Sequence, residues 1–136
     1  MSAPTSRARR TPAAVSETRS GAMHVLGLPG NPVSAYVCAV LFLVPLIRQL
    51  VGRNDVVPAL ETARLGCDLP GNDERADYLR AVLTAGPDGI PVVMAARVQD
   101  SSMLMPLAQA DCLLVREPFA PAAKAGERCA IIRLAP

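Results

Sequence analysis

The stretch Leu28-Pro29-Gly30-Asn31-Pro32-Val33-Ser34 decides how this chain is read, because it joins an apolar run to the start of a helix. Upstream, residues 23–28 read as a short buried strand with His24, Val25 and Leu26 at its centre. Pro29 and Gly30 fit positions i+1 and i+2 of a type II turn, where glycine supplies a positive φ. Asn31 is a good N-cap, and Pro32 suits the first helical position because its missing N–H has no helical partner there. A helix follows to about residue 51 and stops at Gly52. Pro45 removes one backbone hydrogen bond, so a bend or break is expected near it.

The helix is apolar nearly all round. Val33, Tyr36, Val37, Val40, Leu41, Phe42, Leu43, Val44, Leu46 and Ile47 cannot share a single stripe, so the helix is expected to be buried on most sides. One short strand cannot bury it. Strand, turn and covered helix form one unit of an α/β layer, whose sheet needs more strands than the preceding twenty residues offer. The expectation is the tail of a larger protein. The longest apolar run, residues 35–47, has thirteen residues including Pro45. A membrane-spanning helix needs about 20 residues, so no span is expected.

From about Val56 the pattern changes to short runs with turns between them. Residues 60–65 alternate, and residues 77–84 alternate more clearly. Gly86-Pro87-Asp88-Gly89 joins the second run to residues 91–98 as a hairpin. Ser101 or Ser102 caps a short helix through Ala108, and residues 112–116 and 129–134 read as two further strands. The whole is an α/β fragment, the last strand and helix of an α/β domain, followed by a small all-β barrel or sandwich. The expected division is a disordered basic arm over 1–20, a strand-turn-helix over 21–53 and a β-barrel domain over 54–136.

Composition narrows the function. The chain has 136 residues, 51% apolar, with two Tyr, two Phe and no Trp, so any core is aliphatic. The arm carries Arg7, Arg9, Arg10 and Arg19 against Glu17, while the remainder has ten basic and eleven acidic groups. A single lysine, Lys124, and scattered arginines make no nucleic-acid surface. Cys38, Cys67, Cys112 and Cys129 lack the close pairs of a zinc site and the density of a disulfide scaffold. They read as buried thiols in a reducing compartment, and the expected localisation is cytoplasmic.

Chemistry concentrates at the turn. A helix N-terminus at the edge of a sheet points free N–H groups and the positive dipole end toward the place where ligands of open α/β sheets gather. Asn31 and Ser34 add polar side chains, and two prolines pre-shape the loop. An anion or phosphate pocket and plain helix capping are both compatible with these residues.

The string Gly27-Leu28-Pro29-Gly30-Asn31-Pro32-Val33-Ser34-Ala35 resembles the signature closing the third domain of the molybdopterin molybdenumtransferases, the family of the bacterial MoeA proteins and the gephyrin E domain. Three further segments are similar to that family, in its order. They are Glu74-Arg75-Ala76-Asp77-Tyr78-Leu79-Arg80-Ala81, the stretch from Gln99-Asp100-Ser101-Ser102-Met103-Leu104 through Leu107-Ala108-Gln109-Ala110-Asp111-Cys112-Leu113-Leu114-Val115, and Ala125-Gly126-Glu127 before the final strand. Asp100 stands where many members carry glycine. The resemblance covers residues 21–136.

What the resemblance implies is insertion of molybdenum from molybdate into adenylated molybdopterin, releasing AMP with the help of magnesium or another divalent cation. It implies that Pro29, Gly30, Asn31, Pro32 and Ser34 border substrate, that the barrel lines the other side of the cleft, and that a full-length member is a homodimer. Molybdopterin-AMP and molybdate are then the partners, with no nucleic acid. No catalytic residue and no metal ligand is expected in this chain, since the family's acidic ligands belong to a part that precedes the signature. The chain alone is therefore expected to be inactive. The alternative is a non-catalytic interaction or dimerisation module built on the barrel.

Other candidates have blander readings. His24 inside a buried run reads as a core histidine. Asp73, Glu74 and Asp77 make an acidic turn that is more often solvated than metal-binding. Arg75, Arg80 and Arg97 default to a solvent face of strands. Ser101 and Ser102 have no base to activate them as nucleophiles. Asp111 reads as a turn residue before a strand.

Overall fold

The structure, a computed structural model, describes residues 14–17, 23–96 and 109–134. It divides into two units, Met1–Val57 and Pro58–Pro136. The helix expected from Ser101 or Ser102, the end of the strand expected over 91–98, and Arg97 lie outside the described residues.

In the first unit, β1 (Ala14–Glu17) and β2 (His24–Gly27) form a two-stranded antiparallel sheet in which Glu17 faces His24 and Ala14 faces Gly27. The stretch read from sequence as an arm thus contributes a strand. β2 alternates half-buried and exposed positions where a fully buried strand was expected, the pattern of a strand with one face packed and the other in solvent. α1 (Pro32–Cys38) passes through a π-helical turn, Ala39–Leu43, into α2 (Val44–Leu50). The π turn answers the expected disturbance at Pro45. A proline ring crowds the carbonyl four residues back and donates nothing to it. Here the ladder has already widened, with Val44 N–H donating to Ala39 O five residues earlier. The helix ends as Gly52 implies: Gly52 at φ 74 lets its N–H reach Gln49 O at 3.0 Å and Arg53 N–H reach Arg48 O at 2.9 Å, which together make a Schellman cap.

Two expectations for this helix are corrected. It was expected to be buried on most sides, yet only Val33 and Cys38 are buried, while Tyr36, Phe42, Val44, Ile47 and Leu50 are exposed. The four-residue strands of this unit cannot cover so broad an apolar surface. It was also expected to be too short to span a membrane. As one helix, Pro32–Leu50 has nineteen residues and is long and apolar enough to cross by length and composition, a test that the core helix of a soluble protein also passes. Counting only the uninterrupted apolar run missed the polar residues near each end that extend the helix.

The second unit is a closed barrel of β3 (Leu60–Leu65), β4 (Asp77–Thr84), β5 (Val92–Ala95), β6 (Cys112–Arg116) and β7 (Arg128–Arg133), in the order β3-β5-β4-β6-β7. β4 and β5 form the expected hairpin, with Val82 opposite Met94 and Gly89 at φ 76 in the turn. β3 closes the sheet by pairing antiparallel with β7 and parallel with β5. Closure leaves no edge strand. Alternate residues point inward, so Ala63, Leu65, Ala81, Val93, Cys112, Leu114 and Ile131 meet in the core. Three small members of the core, Ala63, Ala81 and Ala123, suit the narrow interior of a small barrel. Leu113 and Ile132, a cross-strand pair on the opposite face, are buried as well.

Polar side chains tie the barrel's loops together. Asn72 Nδ2 donates to the carbonyls of Arg75, Arg116 and Glu117, and Arg116 Nη2 donates to those of Pro70 and Pro121. Arg64 reaches both Asp88, at 2.6 Å, and the Gly126 carbonyl, at 3.3 Å.

Candidate functional site

The turn preceding α1 is built around Asn31. Its backbone is extended, at φ −71° and ψ 125°, and its Oδ1 accepts the N–H groups of Val33 at 3.0 Å and Ser34 at 3.2 Å. Its carbonyl accepts Ala35 N–H at 2.8 Å, the first bond of the helix. Pro32 occupies the first turn, where a missing N–H costs nothing. Between the two alternatives left open by the residues, capping is what this geometry displays. The amides of Val33 and Ser34 are spent on the cap and do not converge on an outside ligand.

The same geometry corrects the expected type II turn. Gly30 is not among the residues with positive φ, and a Cβ added there would meet no atom within 4 Å. The extended Asn31 performs the change of direction, so no left-handed residue is needed before it. Gly30 and Pro32 are exposed, while Pro29, Asn31 and Ser34 are half-buried, so the five residues line one accessible turn.

The remaining candidates separate by environment. His24 is half-buried on β2. Asp73 Oδ1 accepts Arg75 N–H at 2.9 Å and its carbonyl accepts Phe119 N–H at 2.6 Å, which makes it a loop organiser. Phe119 itself holds φ 58, an uncommon conformation for a bulky residue. Arg80 is corrected: it is only 2% exposed, on the face of β4 away from the core cluster, instead of facing solvent. Asp111 does more than turn the chain. Its N–H donates to Ala81 O, its carbonyl accepts Leu134 N–H, and its Oδ2 accepts Leu83 N–H at 2.8 Å, so it carries the β4–β6 ladder past its last strand pair. Sequence inspection missed this role and that of Asn72; the only visible signal was an Asx residue beside a turn.

Three of the thiols, Cys38, Cys112 and Cys129, are not poised for chemistry. All four cysteines are free, with Cys38 and Cys112 buried and Cys67 and Cys129 half-buried. Burial pushes the Cys112 thiol up to about 11 and also raises Cys38 and Cys129, which suppresses the thiolate. Among the described residues no group of three or more His, Cys, Asp or Glu side chains could hold a metal ion. With Asn31 Oδ1 already engaged by two amides, the donor set of the turn does not fit the divalent cation that the resemblance implies.

Comparison with known proteins agrees with the barrel. The family model described as "MoeA C-terminal region (domain IV)" matches residues 62–134. Molybdopterin molybdenumtransferase 1 of Mycobacterium tuberculosis, in strains CDC 1551 and H37Rv alike, is 32% identical over 104 residues, covering 74% of this chain and 24% of its own length. The molybdopterin biosynthesis MoeA protein of Pyrococcus horikoshii superposes with a TM-score of 0.68 at 21% identity, covering 92% of this chain and 29% of that one. The molybdenum cofactor biosynthesis protein of Pyrococcus furiosus gives 0.65 at 23% identity, covering 84% of this chain and 40% of that one. The two structural likenesses speak to fold alone. This chain spans about a quarter of the length of the curated relatives it matches. A closed five-stranded barrel whose residues 62–134 match that family model places the chain in the MoeA C-terminal region (domain IV) family.

Proposed function

We propose that the chain serves molybdenum cofactor biosynthesis as the C-terminal part of a molybdopterin molybdenumtransferase. In this reading the complete enzyme inserts molybdenum from molybdate into adenylated molybdopterin and releases AMP, in the cytoplasm, as a homodimer, with magnesium or another divalent cation. Pro29, Gly30, Asn31, Pro32 and Ser34 border the bound substrate. The single observation that carries the reading is the barrel: residues 60–133 close into five strands, and residues 62–134 match the MoeA C-terminal region (domain IV).

This chain alone is inactive in that scheme. The turn offers no carboxylate to a cation, and the nearest acids downstream in sequence, Asp55 and Glu61, follow the helix. Electrostatic preorganisation, usually the largest catalytic contribution, needs groups that these residues do not supply. The test is a chimaera in which residues 23–134 replace the matched segment of the Mycobacterium tuberculosis relative. It should release AMP from adenylated molybdopterin only when molybdate is present, and the 136-residue chain should release none. A soluble chimaera with native circular dichroism and no molybdate-dependent release would refute the assignment.

A further inference from the structure

We draw no further inference here: the strongest candidate, the exposed apolar side of the helix Pro32–Leu50 that carries Phe42, Ile47 and Leu50, carries nothing because nothing in the structure shows what covers it.

Discussion

Replacing Ile131 with alanine tests whether the barrel's stability resides in its small aliphatic core. Ile131 is fully buried on β7, opposite Glu61 of β3 and Leu114 of β6, and belongs to the central cluster. The substitution removes three carbons, and its neighbours Ala63 and Ala81 are too short to fill the space. Such truncations cost about 2–5 kcal/mol, the transfer of the lost carbons plus the cavity they leave. A domain of this size has a total stability of roughly 4–12 kcal/mol, so the variant should lose a large share of it. Leu60→Ala is the control, because Leu60 is 63% exposed on β3 and its truncation should stay within about 0.5 kcal/mol. A urea titration followed on the amide NMR signals of β6 and β7 reports the barrel without the other unit. If Ile131→Ala costs less than about 1 kcal/mol, or no more than Leu60→Ala, the core assignment is wrong.

Four further outcomes follow from these contacts and backbone angles. Asn31→Ala should weaken the start of α1 by about 1 kcal/mol, seen as faster hydrogen exchange at Val33 and Ser34, whereas Asn31→Asp should keep their protection; equal exchange in all three proteins would dismiss the cap. Gly30→Ala should leave stability within about 0.5 kcal/mol, since Gly30 has neither a positive φ nor a close neighbour. Gly126→Ala, at φ 91, should cost about 1 kcal/mol or more, and a reversed order would contradict the backbone described here. For Asp55, the Arg53 side chain donates to the carboxylate and holds it down to about 2. Its folded value lies below the ordinary one of about 3.9, so the bridge's contribution is present above that pH and is lost as pH falls through the folded value. A carboxyl NMR titration with an unshifted midpoint would show that the pair does not form in solution.

Local interactions explain what was legible in the sequence. Asn31 and Pro32 select a helix start through bonds that span three residues, and Gly52 stops the helix through a φ that other residues rarely adopt. The alternation over Leu60–Leu65 and Asp77–Thr84 marks strands because a pleated chain turns every second side chain inward. Gly89 announced the β4–β5 hairpin for the same local reason. The turn at Gly30 was misjudged because two backbone routes lead into an N-cap, and Pro-Gly permits both.

The strands of the barrel, the helix boundaries and the family signature were therefore determined by the sequence itself, because each depends on neighbours a few residues away, whereas β1 was not, since it exists only by pairing with β2. The tertiary structure alone decided that β3 pairs with both β5 and β7, one parallel and one antiparallel, because partners so far apart in the chain leave no trace in local pattern. It alone decided that Arg80, Leu113 and Ile132 are buried on the outer side of the barrel wall, and that of the apolar helix only Val33 and Cys38 are fully buried while Phe42, Ile47 and Leu50 are exposed. Burial is a property of what the rest of the chain brings near a residue. Hydrophobicity states only a preference, and whether a partner surface is there to satisfy it is settled in three dimensions.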